Sequence, residues 1–187
     1  VSATEKTSQA LNILVVEDDD DARENLRDIL ELRKHQVSTR RTFCEAFDIG
    51  NLSAFDVIIL DRKLPDGMVE DRLPKFREVA PKTDLIVVTG YADTRASIAA
   101  LREGVSDFII KPINPDALLR GLQHIARRRD VERALAKEHE FNEMVLETAE
   151  AIILVLDPEG RITRFNDYLA ELTERTLEEV ENHDWFD

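Results

Sequence analysis

Three acids stand at the ends of two apolar runs. Ile13-Leu14-Val15-Val16 leads straight into Glu17 and Asp18, and Val57-Ile58-Ile59-Leu60 leads into Asp61. Both runs are rich in β-branched residues and read as strands buried on both faces. If the two strands lie side by side and parallel, Glu17, Asp18 and Asp61 converge at their carboxyl ends. Carboxylates that close repel one another and are costly to keep ionised unless a cation sits among them. Hard divalent cations prefer oxygen ligands, and Mg²⁺ takes a few carboxylates together with waters and a phosphate. The pattern points to phosphate chemistry at an acidic, metal-dependent pocket.

The elements that must position these acids follow in order. Residues 1–10 are small, polar and without period, and read as a loose leader. The first strand is expected over 11–16. Asp18 to Asp21 supply caps and negative charge for a helix start, and that helix runs to about Lys34. A weak strand at 36–40 precedes a helix from Thr42 to about Ile49. Residues 55–60 form the second buried strand, and Leu64-Pro65-Asp66-Gly67 is a turn signal. A helix over 69–79 and a strand over 85–88 come next, ending at Thr89-Gly90. A helix over 94–103 and a strand over 108–110 stop at Lys111-Pro112. Asn114-Pro115 joins an N-cap to a proline suited to the first helical turn. Five strands alternating with helices predict an α/β fold, a parallel doubly wound sheet with helices on both faces. Ligands of such sheets bind at the carboxyl ends of the strands. Glu17, Asp18, Asp61, Thr89 and Lys111 all fall on that rim.

Composition narrows the field. The chain has 187 residues, 43% of them hydrophobic, enough for one domain with something appended. A formal net charge of −14 argues against binding nucleic acid or an anionic membrane surface. The single cysteine, Cys44, forms no internal disulfide. No apolar stretch approaches membrane-spanning length and no signal peptide precedes the first strand, so a cytoplasmic location is expected. The chain begins at Val1 rather than Met and is expected to be a fragment or a processed product. Asp19, Asp20 and Asp21 read as caps and surface charge, and Arg127–Arg129 as a solvated helix face.

With these residues in place, residues 11–127 resemble a response-regulator receiver domain, the phospho-accepting half of two-component signalling. The motifs that carry the resemblance are Val15-Val16-Glu17-Asp18, Ile59-Leu60-Asp61-Arg62-Lys63-Leu64-Pro65-Asp66-Gly67, Val87-Val88-Thr89-Gly90-Tyr91 and Asp107-Phe108-Ile109-Ile110-Lys111-Pro112. The resemblance implies a flavodoxin-like sheet of strand order 2-1-3-4-5. It implies that Asp61 receives a phosphoryl group from a phosphohistidine on a histidine kinase or phosphotransfer protein. Glu17, Asp18, Asp61 and the backbone carbonyl of Lys63 would hold Mg²⁺. Thr89 and Lys111 would bind phosphoryl oxygens, Thr89 and Phe108 would form the switch, and Pro112 would follow a cis peptide bond. Lys63 and Tyr91 occupy the positions that tune phosphoryl lifetime.

The last helix runs on. From Pro115 to about Glu147 there is no further proline, and Gly121 is the only glycine. Leu118, Leu122 and Ile125 keep a spacing near 3.5, as do Val131, Leu135, Phe141 or Asn142, and Val145. Residues 128–147 therefore read as a linker continuing an interrupted two-stranded coiled coil, and the chain as a homodimer through it. Residues 148–187 resemble the opening of a PAS sensory domain, an α+β segment. It begins with a hairpin about Asp157-Pro158-Glu159-Gly160, and Trp185 and Phe186 lie in its last stretch. A receiver that passes its state to a PAS domain fits a hybrid sensor histidine kinase, although no ATP-binding half lies in this chain. Two other functions fit less well. A Mg²⁺-dependent phosphatase with an Asp nucleophile usually carries an acid two residues on, where this chain has Lys63. A receiver-like module that takes no phosphate would have no need of the full acid, Thr and Lys set. Because Lys63 and Tyr91 are both bulky, self-hydrolysis of the phosphorylated protein is expected to be slow. Complete loss of the phosphoryl group within seconds, followed by intact mass, would contradict this.

Overall fold

The computed structural model describes residues 10–90, 104–148 and 151–173. The chain divides into two compact units, residues 1–129 and 130–187. In the first, the strands are β1 (Asn12–Val16), β2 (Gln36–Arg40), β3 (Val57–Asp61), β4 (Lys63–Leu64), β5 (Gly67–Met68), β6 (Asp84–Thr89) and β7 (Asp107–Ile110). The helices are α1 (Asp20–Glu31), α2 (Phe43–Phe47), α3 (Val69–Val79) and α4 (Pro115–Thr148), the last continuing into the second unit. Five strands form one parallel sheet in the order β2-β1-β3-β6-β7. The expected helix over 94–103 and the expected leader up to residue 9 lie outside the described residues.

Strand alternation builds two cores from one sheet. Leu14, Val16, Ile58, Leu60, Leu85 and Val87 face one side, where α2 and α3 bring Phe43, Ala46, Val69, Leu73 and Phe76. Ile13, Val15, Val57, Ile59, Ile86 and Val88 face the other, against Leu26 and Leu30 of α1 and Leu118, Leu122 and Ile125 of α4. Each such side chain taken fully out of water contributes roughly 1.5–3 kcal/mol, so these strands have little freedom to slip. The helix starts are capped as their sequences suggest. Asp19 Oδ1 accepts the Ala22 N–H (2.8 Å), Thr42 Oγ1 the Glu45 N–H (3.1 Å) and Asn114 Oδ1 the Asp116 N–H (2.9 Å).

Two expectations need correction. Leu118, Leu122 and Ile125 are not the start of a coiled-coil seam; they are buried against their own sheet. A heptad drifts by only about 20° from a straight helix, so one short run reads the same for seam and core face. The second correction concerns the basic run on α4. Arg127 is exposed, but Arg128 and Arg129 hold the helix to the amino ends of the strands. Asp84, 4% exposed, accepts from Ser106 Oγ (2.6 Å), Arg128 Nη2 (2.5 Å) and Arg129 Nη1 (3.1 Å). Arg129 also pairs with Asp56 (3.1 Å) and donates to the carbonyls of Asp56 and Lys82 (3.1 Å each).

In the second unit, β8 (Leu154–Leu156) and β9 (Ile162–Phe165) form an antiparallel hairpin, followed by α5 (Asp167–Thr173). Asp157 Oδ1 closes the turn on the N–H groups of Glu159 (3.0 Å) and Arg161 (2.8 Å). Buried Asn166 accepts from the Ile153 N–H (3.0 Å) and donates to the Ala151 carbonyl (2.9 Å). Trp185 and Phe186, in the last stretch of the PAS-like segment, lie outside the described residues.

Burial alone would raise the Asp84 pKa. The Ser106 hydroxyl and the two guanidiniums outweigh that and hold it below the ordinary aspartate range. The stability this confers is in place above the ordinary aspartate value and is lost as pH falls through the lowered one. Asp84→Ala should therefore cost about 3 kcal/mol near neutral pH, the low end for a broken buried pair because Arg128 is half in water. Urea unfolding at a series of pH values should show the gap to the unsubstituted protein narrowing in acid.

Candidate functional site

Sheet register assembles the site. Val16 pairs with Leu60, so the next residues, Glu17 and Asp61, emerge side by side where the chain reverses its direction across the sheet. Asp61 pairs with Val88 and Thr89 with Ile110. The Lys111 N–H donates to the Thr89 carbonyl at 2.8 Å. Four neighbouring strand ends thus deliver Glu17, Asp18, Asp61, Thr89 and Lys111 to one rim. Ligand-capable oxygens of Glu17, Asp18 and Asp61 lie within 4.8 Å of one another. Thr89 and Glu17 are each only 2% exposed, while Asp18 is open to solvent.

Lys111 supplies the countercharge. Its Nζ donates to Glu17 Oε2 (2.8 Å) and Asp61 Oδ2 (2.6 Å). Burial alone would lower the Lys111 pKa, but the hydrogen bonds to Asp61 and Glu17 outweigh it and hold the ammonium above the ordinary lysine value. Glu17 is raised, first by burial and then by the neighbouring Asp61 charge, with Lys111 opposing. The Lys111–Pro112 peptide is cis. Phe108 is half-buried and packs against the core on the α2 and α3 side.

The loop after Asp61 is more structured than its turn signal implies. Lys63 and Leu64 pair antiparallel with Met68 and Gly67. Gly67 turns at φ +139°, in the region that favours glycine. The Lys63 N–H donates to Asp61 Oδ1 (3.2 Å), which brings the Lys63 peptide to the edge of the acidic group. Tyr91 lies outside the described residues. Three supporting contacts went unread in the sequence. Arg23 donates to the carbonyls of Glu17 (2.8 Å) and Asp18 (3.2 Å) and pairs with Asp20. Asp66, read only as a turn former, accepts the N–H groups of Phe43 (3.2 Å) and Cys44 (2.9 Å) and ties the loop tip to α2. Arg62 Nε pairs with Glu70 Oε1 (2.6 Å). The available signals were an arginine near acids for Arg23 and Arg62 and an acid in a turn for Asp66, all too common to single out.

A cluster of oxygen donors beside an ammonium, with a threonine at the same rim, suits a hard divalent cation and a phosphoryl group together. Comparison with known proteins decides the family. The family model for the response regulator receiver domain matches residues 13–123, more than half of the chain. The chain belongs to the response regulator receiver family. Its receiver is similar to the cell cycle response regulator CtrA of Brucella ovis, 29% identical over 118 residues, which is 63% of this chain and 51% of that protein. The chain thus spans about half the length of the curated relatives it matches. A CheY-like receiver domain protein from Methanospirillum hungatei JF-1 matches with TM-score 0.60 and 30% identity, covering 66% of this chain and 99% of that one. The beryllofluoride-activated NtrC4 receiver domain dimer matches with TM-score 0.58 and 28% identity, covering 63% and 97%. Receiver domains take phosphoryl groups from histidine kinases or phosphotransfer partners and bind Mg²⁺ at an acidic cluster. Among the described residues of this receiver chain, no helix is long and apolar enough to cross a membrane.

Removing the countercharge tests the electrostatic balance. Lys111 contributes fully below the ordinary lysine pKa and loses its contribution only as pH rises through the raised value. Lys111→Met should therefore destabilise the metal-free protein by about 2 kcal/mol at neutral pH, since it leaves a buried carboxylate unpaired. The loss should shrink in mild acid as Glu17 takes up a proton, which urea unfolding at several pH values can follow.

Proposed function

We propose that this receiver accepts a phosphoryl group on Asp61 from a partner's phosphohistidine, in a Mg²⁺-dependent reaction, as a module of a phosphorelay. The observation that carries the reading is the single ammonium of Lys111 bonded to both Glu17 and Asp61 at the acidic rim. The donor set fits Mg²⁺: Glu17, Asp18, Asp61 and the Lys63 carbonyl are all hard oxygen ligands. Mg²⁺ would neutralise charge on the transferring group.

The chain's own residues do the rest. An Asp61 carboxylate oxygen forms the new bond to phosphorus as the phosphorus–nitrogen bond to the donor imidazole breaks. The electron pair of that bond leaves with the imidazole. Lys111 follows an oxygen of the incoming group, which offsets part of the charge gathered at an already acidic site. Thr89, at the end of β6, hydrogen-bonds another. Its movement toward the phosphoryl group vacates space for Phe108, a packing change that a distant surface can read. Lys63 restricts water at the acyl phosphate and lengthens its life, as Tyr91 does by its position in the chain.

In this reading residues 11–127 are the receiver, 128–147 a helical linker and 148–187 the opening of a PAS-like sensory segment. The β8–β9 hairpin followed by α5 supports the last assignment. Along the linker Val131, Leu135, Phe141 and Val145 are exposed. That apolar series supports a homodimer through the helix, and the resemblance to an activated receiver dimer is consistent with it. The parent protein would be a hybrid sensor histidine kinase. Lys63, standing where a phosphatase of similar topology would carry its acid, weighs against turnover.

The test combines intact mass spectrometry with light scattering, after incubation with acetyl phosphate or beryllium fluoride, with and without Mg²⁺. One Mg²⁺-dependent phosphoryl adduct, absent in Asp61→Asn, is expected, with a change in scattering mass on activation. No adduct and no beryllium fluoride effect would reduce the site to a relic.

A further inference from the structure

The segment that carries the Lys63 carbonyl is fastened in several places. The Arg62 N–H donates to the Val88 carbonyl, and the Arg62 carbonyl accepts from the Val69 N–H, both at 2.9 Å. The β4–β5 ladder closes the loop above them. At the tip, Asp66 bonds to α2 through its carboxylate and accepts Arg72 Nη2 at its carbonyl (2.9 Å). These contacts involve the backbone or the tip. A side-chain contact spans the base: Arg62 Nε to Glu70 Oε1 at 2.6 Å, with the side chains 11% and 27% exposed.

That pair is costly as a stabilising device. Glu70 Oε2 is buried and has no hydrogen-bond partner among the described residues. A buried carboxylate oxygen left unsatisfied carries a desolvation penalty, and apolar residues of similar volume often replace such a pair without loss. The pair is also electrically neutral as a unit, so it adds no net charge to the rim. Its location remains as the reason for it: Arg62 lies between Asp61 and Lys63, two of the residues that would hold the metal.

We infer that Arg62 and Glu70 are positioning residues, whose ion pair sets the Lys63 peptide at the acidic rim and thereby raises the affinity for Mg²⁺. The inference rests on the Mg²⁺ reading of the site. Contacts that orient metal ligands without touching the metal alter affinity by about 10-fold when removed. Positioning and simple electrostatics make opposite demands on the two partners. If the pair acts by closing the loop, losing either partner weakens Mg²⁺ binding. If it acts through the field, losing the cation strengthens binding and losing the anion weakens it.

The experiment is a double-mutant cycle on the full chain, with Mg²⁺ affinity read by titration calorimetry. Arg62→Met and Glu70→Leu should each weaken Mg²⁺ binding about 10-fold, and the double variant, an apolar pair that again closes the loop, should recover most of the loss. Glu70→Gln, which retains an acceptor of the same shape, should stay close to the unsubstituted protein. Amide hydrogen exchange at Lys63 and Leu64 in metal-free protein should rise in the two single variants, which a fold-wide destabilisation would not confine to those amides. Tighter binding in Arg62→Met, additive single effects, or unchanged affinity throughout would overturn the positioning role while leaving the Mg²⁺ site intact. An unsubstituted protein that does not take up Mg²⁺ would overturn the underlying reading and the inference with it.

Discussion

Mutual repulsion among Glu17, Asp18 and Asp61 is the constraint to which the rest of the receiver answers. Their donor oxygens lie within 4.8 Å of one another, a separation at which like charges in a partly buried site interact strongly. Lys111 reaches two of them from a strand end two places across the sheet from Asp61 and three from Glu17. Its ammonium can do so because β7 pairs with β6 and stops one residue short of it. The fold is thus a device for bringing one cation to three anions that are remote in sequence. In the proposed reaction the same charge balance must be remade around an incoming phosphoryl group, which is why a small set of groups at one rim serves both states.

The two ends of the sheet solve opposite problems. At the carboxyl ends the charges are left partly unbalanced and open to a ligand. At the amino ends Asp84 and Asp56 are matched by Arg128 and Arg129, and Ser106 adds a hydrogen bond to Asp84. A buried aspartate without those partners would be far more costly than the apolar contacts around it could offset. Arg128 and Arg129 are also the last residues of the first compact unit. The receiver's hold on α4 therefore ends in a polar lock rather than in more hydrophobic packing.

The architecture was legible because its signals are strong and local. Fully apolar strands ending in acids, Thr89 and Lys111 predict both a parallel doubly wound sheet and the rim on which the functional groups meet. Caps at Asp19, Thr42 and Asn114 were visible as residue types at the right offsets. What escaped were long-range polar contacts. Asp84 with Arg128 is separated by 44 residues, and nothing in either local stretch distinguishes an arginine paired with a buried acid from an unpaired one. The two-residue strands β4 and β5 escaped because four residues give no period to read. Leu118, Leu122 and Ile125 misled for a different reason. A helix face that meets a sheet and one that meets another helix use the same spacing over two turns.

An unbroken α4 has a geometric consequence. It runs from Pro115 to Thr148, and each residue of an α-helix advances the direction of a side chain by about 100°. Inserting or deleting a single residue beyond Arg129 would turn every later position by that angle, while a change of seven would nearly restore it. Within the helix itself, the exposed series Val131, Leu135, Phe141 and Val145 therefore stays on one side only if the spacing between its members changes in such steps.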